Sequence, residues 1–139
     1  WPLKLDGLQR VELIDTPGID EIDAAGRTRL ATRVAMGVDL VLLVIDSDLT
    51  RCDRDALETL QASGKPVRLV LNRSDRWPEE QLPELLDSIR SRLPNDLPLT
   101  AVAAAPRQPM LDADGRVRSS AAPARVSNLK QHLLAQFHR

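Results

Sequence analysis

Leu40-Val41-Leu42-Leu43-Val44-Ile45, bracketed by Asp39 and Asp46, is the longest apolar run in the chain, and its reading decides the fold. A half-exposed strand would alternate apolar and polar residues. This run is continuous and rich in branched side chains, which suits a strand covered on both faces, as in a parallel sheet. It is far shorter than the roughly twenty apolar residues that a membrane span needs. Pro66 to Leu71 repeats the pattern. Between the two runs, Thr50 can cap a helix, with Asp53 three positions later completing a capping-box-like pair. Leu57 and Leu60 mark that helix's inner face, and Gly64 ends it.

Working outward, Glu79 to Leu93 carries Leu82, Leu85, Leu86, Ile89 and Leu93 at helical spacing, and Leu97 to Ala103 returns as a strand. Val126 to Phe137 makes a last helix, with Leu129, Leu133, Leu134 and Phe137 as its apolar residues. Upstream, Pro2 to Asp6 and Leu8 to Ile14 read as a hairpin about Gly7. Ala25 to Met36 then reads as a helix with Leu30, Ala31 and Val34 on one face. Strands alternating with helices in this way predict an α/β fold, a mostly parallel sheet flanked by helices in three layers. Residues 1–139 form one domain on this reading. Residues 106–124 hold Pro, Gly, Ser, Ala and Arg with little periodicity and read as a long mobile loop within it.

Charge narrows the classes of partner. The net charge of −1 offers no basic field, so nucleic-acid binding by general attraction is not expected. Cys52 is the only cysteine, which rules out an internal disulfide and suits a reducing, cytoplasmic setting. His132 and His138 lack acidic or cysteine partners at metal spacing and read as solvated helix residues.

Ligands of open parallel sheets bind beyond the carboxyl ends of the strands. Asp15-Thr16-Pro17-Gly18 follows Leu8 to Ile14, Asn72-Arg73-Ser74-Asp75 follows Pro66 to Leu71, and Thr100-Ala101 lies toward the end of the next strand. Each motif alone is weak, because an Asp in a loop is often a cap and Asn-x-x-Asp is often a turn. In this order, and each at a strand's end, they resemble three nucleotide-binding elements of P-loop GTPases. These are the Asp-x-x-Gly motif, the Asn-Lys-x-Asp motif with Arg73 in the lysine position, and the Ser-Ala motif with Thr100 for serine. Thr16-Pro17 and Ile19 make the chain most similar to the Era-like, translation-factor-related bacterial GTPases. The resemblance covers essentially the whole chain.

The resemblance implies a switch that binds and hydrolyses GTP, with GTP or GDP and Mg2+ as its ligands. Guanine presents N1–H and a 2-amino group as adjacent donors, and the Asp75 carboxylate would accept from both. Asn72 would brace the site, the Arg73 guanidinium would stack on the base where the usual lysine lays its stem, and the Ala101 N–H would meet the guanine carbonyl. Asp15 would hold the magnesium, in this family usually through a water. The Gly18 N–H would sense the γ-phosphate and order the segment after it, where Asp20, Glu21 and Asp23 read as solvated charges. Ile19 stands where many GTPases carry a water-orienting glutamine, so no catalytic side chain is assigned and slow intrinsic turnover is expected. Trp77 is expected to pack near the base loop. An effector or activating protein would be the partner. Leu49-Thr50 and Lys65-Pro66 resemble bacterial members with a membrane-associated C-terminal domain, so membrane association is expected only through segments outside this chain.

One element is absent. No Gly-x-x-x-x-Gly-Lys-[Ser/Thr] run, which cradles phosphates in these enzymes, occurs in the 139 residues. The lysines are Lys4, Lys65 and Lys130, and 14 residues precede Asp15. The expectation is that this loop, its strand and the first helix lie upstream of Trp1. Leu8–Ile14 and Leu40–Ile45 would then each lack a neighbour. The isolated chain would bind GTP negligibly and be poorly folded, self-associated, or closed by direct pairing of those two strands. Two rival readings remain. One is a GTPase-like interaction module with little or no nucleotide binding. The other is a receiver-type domain with Asp15 or Asp46 as phosphate acceptor, which leaves Asn72 and Asp75 without a role.

Overall fold

The computed structural model describes residues 2–3, 11–16, 18 and 23–137. In chain order the elements are β1 (Pro2–Leu3), β2 (Val11–Glu12), α1 (Ala24–Gly37), β3 (Val41–Ile45), α2 (Arg51–Ala62), β4 (Val67–Leu71), α3 (Leu82–Ser91), β5 (Leu99–Ala101), β6 (Arg107–Leu111), β7 (Val117–Ala121) and α4 (Ser127–Phe137). The turn about Gly7, Pro17, Ile19, the acidic pair Asp20 and Glu21, and His138 lie outside the described residues.

The apolar runs form the sheet. β3 pairs in parallel with β4 from Val41↔Val67 to Ile45↔Leu71, and β4 pairs in parallel with β5 from Leu69↔Leu99 to Leu71↔Ala101. The α/β class and the flanking helices are therefore as the sequence indicates. α2 begins on the expected box: the Asp53 N–H donates to Thr50 Oγ1 at 3.1 Å, and the Thr50 N–H donates to Asp53 Oδ2 at 2.9 Å.

The two faces of the sheet are covered unequally. On one face Leu43, Ile45, Leu69 and Leu71 pack with Leu57 and Leu60 of α2, Leu85 and Ile89 of α3, and Ala31 of α1. Leu69, Leu71 and Ile89 are fully enclosed. On the other face Arg68, Val70 and Thr100 are buried near α4, which packs on β5 and buries its own Leu133. Val44 of β3 stays 57% exposed. Polar bonds then fasten α3 to the segment after β3. Asp48 accepts from the Leu49 N–H, the Ser88 hydroxyl and the Arg92 guanidinium, and Arg92 also reaches the Leu49 carbonyl.

Two expectations are corrected. Residues 106–124 contain a β-hairpin and not an unstructured loop: β6 pairs antiparallel with β7 from Arg107↔Ala121 to Leu111↔Val117. Its side chains are exposed on both faces, so no buried periodicity marks it in the sequence. Closure of the sheet by direct strand pairing is also not seen. Among the described residues β2 pairs with β1 and β3 pairs with β4, leaving β3 at the sheet edge.

Candidate functional site

The site is built where β4 ends. The Asn72 N–H donates to the Ile45 carbonyl at 2.8 Å, carrying the β3–β4 ladder one residue past the strand. Arg73 then adopts a left-handed backbone, φ 58°, which costs a side-chain-bearing residue about 1 kcal/mol. The single reversed residue turns the chain into a short 3-10 helix, Ser74–Arg76. Trp77 follows and packs against the core.

This loop is clasped by the one that follows β5. The Ser74 N–H donates to the Val102 carbonyl at 3.1 Å. Asn72 Oδ1 accepts from the Ala104 N–H at 3.0 Å, and Asp75 Oδ2 accepts from the Arg107 N–H at 3.3 Å. The side chains of Asn72 and Asp75 are thus oriented by backbone donors 32 residues away. Arg73 Nη1 lies 3.5 Å from Asp46 Oδ2 at the end of β3. Both groups are more than half exposed, so the pair contributes little. An open depression of about 350 Å³ lies between the ends of β3 and β4, lined by Val44, Asp46, Ser47, Thr50, Asn72 and Arg73.

Asn72, Arg73 and Asp75 are therefore brought together, and Thr100 and Ala101 are not part of their loop. Thr100 sits inside β5, 3% exposed, with its hydroxyl 3.2 Å from both Arg68 Nη1 and His132 Nδ1. The Ala101 carbonyl accepts from Asn128 Nδ2 of α4 at 2.9 Å. The strand ends at Ala101, so the residues facing Asn72 and Asp75 begin at Val102. His132, expected to be simply solvated, has a partner in Thr100. Sequence reasoning missed the Ala104 and Arg107 amides. The signal was the small-residue run Ala103-Ala104-Ala105 ahead of Pro106, a loop composition at a strand's carboxyl end.

Asp15 and Gly18 lie exposed in the chain that leaves β2, and no hydrogen bond joins either to Asn72 or Asp75 among the described residues. Those residues hold no group of three or more His, Cys, Asp or Glu side chains fit to bind a metal alone.

Comparison with known proteins places the chain in a family. Residues 2–73, half of the chain, match the family described as 50S ribosome-binding GTPase, and the chain belongs to this family of P-loop GTPase domains. Among relatives, it is 46% identical over 69 residues to the GTPase Der of Rhizobium johnstonii, covering 45% of this chain and 15% of Der. It is 37% identical over 81 residues to the GTPase Era of Synechocystis, covering 55% of this chain and 26% of Era. Translation initiation factor IF-2 of Christiangramia forsetii is 32% identical over 77 residues, covering 54% of this chain and 8% of the factor. The chain thus spans a small part of the length of these relatives. No solved structure matches it.

Proposed function

We propose that the chain supplies the guanine-recognising part of a GTP-binding, GTP-hydrolysing switch. The observation that carries this reading is the clasp: Asn72 and Asp75 are held at the carboxyl end of a buried parallel strand by amides of the next loop. Guanine offers its N1–H and 2-amino group side by side, and one carboxylate accepts both through charge-assisted bonds. Adenine would set a lone pair against that carboxylate and leave its charge unpaired, a stronger rejection than a lost contact. The exposed Arg73 side chain, held by its weak pair with Asp46, would stack on the base. In the same reading the Ala105 N–H takes over the contact to the guanine carbonyl that was expected of Ala101, since the Val102, Ala103 and Ala104 N–H groups donate to the Leu71 carbonyl, the Arg125 carbonyl and Asn72 Oδ1.

The phosphate end draws on Asp15 and Gly18. The exposed Asp15 carboxylate is the kind of donor Mg2+ accepts, since this ion takes one or two carboxylates with phosphate oxygens and waters. Bound there, Mg2+ would supply charge neutralisation between the phosphates. Gly18 would respond to the γ-phosphate through its N–H, and loss of that phosphate would release the segment after it. The 139 residues contain no phosphate-cradling glycine-lysine loop, and in this reading the grip on the phosphates comes from residues outside them.

The test is competition against a fluorescent guanine nucleotide on the intact protein that contains this chain. GTP and GDP are expected to displace the probe at least 100-fold better than ATP, and Asp75→Ala to remove most of that preference. Equal displacement by ATP contradicts the reading. A folded protein that binds neither nucleotide supports the interaction module instead.

A further inference from the structure

Arg107 does two things at once. In the hairpin the Ala122 N–H donates to the Pro106 carbonyl and the Asp112 N–H to the Arg116 carbonyl, both at 2.9 Å. Given the Arg107↔Ala121 register, the bonded pairs fall on even positions of β6, and the N–H groups of its odd positions point away from β7. Pro109, which has no N–H, occupies one such outward position without disturbing the ladder. At another, the outward Arg107 N–H donates to Asp75 Oδ2 at 3.3 Å. The Arg107 side chain meanwhile crosses the hairpin, with Nε 3.0 Å from Ser119 Oγ and Nη2 2.7 Å from the Ser119 carbonyl.

We propose that Arg107 is a positioning residue for base recognition, through which the hairpin sets the plane of the Asp75 carboxylate. This rests on the guanine reading above. A carboxylate turns easily about its terminal torsion, which has broad preferences. Two adjacent donors on a flat base require both oxygens to lie in the plane of that base. A backbone N–H fixed from behind to one oxygen limits the turning before any ligand arrives, and that oxygen keeps a lone pair for a second donor. A base offering one donor gains less from the restriction. The orientation therefore acts on the preference for guanine over hypoxanthine, which keeps N1–H and lacks the 2-amino group.

The experiment measures GDP and inosine diphosphate affinities by calorimetry on the intact protein. Arg107→Pro removes the N–H at an outward position where Pro109 shows that the ladder accepts proline. Arg107→Ala removes the Ser119 bonds and keeps the N–H. Arg107→Pro is expected to weaken GDP about tenfold, in line with one lost bond to a charged group. The ratio of GDP to inosine diphosphate affinity should fall about fivefold, and Arg107→Ala should retain a ratio at least about threefold above that of Arg107→Pro. An unchanged ratio in Arg107→Pro overturns the proposal, as does an equal loss in both variants. Should circular dichroism show that Arg107→Pro is unfolded, the Arg107 amide exchange rate decides. It should rise about tenfold in Asp75→Ala, and an unchanged rate overturns the proposal. Wild-type protein that binds no GDP removes both this inference and the guanine reading; GDP binding with an unmoved ratio removes this inference alone.

Discussion

The loop after β4 and the loop after β2 each carry an aspartate just beyond a strand, yet they are held in different ways. The Asn72–Asp75 loop leaves a strand whose five residues are all buried, and three hydrogen bonds tie it to the loop after β5 and to the first residue of β6. Asp15 and Gly18 leave a two-residue strand and are exposed. The difference teaches that a binding loop inherits its order from the burial of its strand and from a neighbour that closes over it. On the function proposed above, the base end of the site would be ordered in advance, whereas the phosphate end would depend on what covers it.

That contrast can be broken at its base. Leu71→Ala, at the fully buried end of β4, is expected to cost about 3 kcal/mol in urea unfolding, while Ile14→Ala, 59% exposed, should stay within about 0.5 kcal/mol. Equal costs would abolish the distinction. One step smaller, Asn72→Ala removes the acceptor of the Ala104 N–H and should cost about 1–2 kcal/mol, with faster amide exchange confined to the clasped loops. Exchange that stays as slow as in wild type would show that the clasp does not order the loop.

The third prediction tests how α3 is fastened beneath the same loop. Burial pushes the Asp48 carboxyl up, but the Leu49 N–H, the Ser88 hydroxyl and Arg92 outweigh it and hold the group below the usual carboxylate range. A depressed folded pKa gives stability that is complete above the unfolded value, about 3.9, and is lost as pH falls through the folded one. Asp48→Asn should therefore lose less stability than wild type on acidification below about pH 4. The difference should stay under about 1 kcal/mol because both partners are over a third exposed. Parallel acid limbs would refute the assignment. The smallest effect is expected at Arg73→Gly. Relief of the left-handed backbone is offset by greater freedom in the unfolded chain, leaving stability within about 0.5 kcal/mol. A loss above 1 kcal/mol would mean that the Asp46 pair matters more than its exposure suggests.

Legibility followed burial. β3 and β4 are readable because a strand covered on both faces must be apolar throughout, and α2 because Thr50 and Asp53 stand at cap spacing. The Asn72–Asp75 loop is readable for the same reason, since it ends such a strand. β6 and β7 are not readable: neither side of the hairpin is buried, and Pro109 argues against a strand unless its N–H position is known to face outward. For Thr100 and Ala101 the sequence shows the letters of the family pattern, but not that the pairing of β5 with Leu69–Leu71 makes them the last two residues of the strand.

Arg68 and Thr100, Asn72 and Ala104, and Asp75 and Arg107 are each 32 residues apart. One crossover sets all three registers. Its closure entropy is met once, so during folding the second and third bonds follow the first at little further cost, and they are lost together on opening. Closure cost grows slowly with loop length, so a few residues inserted at the exposed Asn95-Asp96 turn would leave every pairing intact. A slip of β5 by one residue against β4 would break all three bonds and carry Thr100 to the opposite face of the sheet. Changes in length can therefore accumulate at the turn, while the strand beside it admits none.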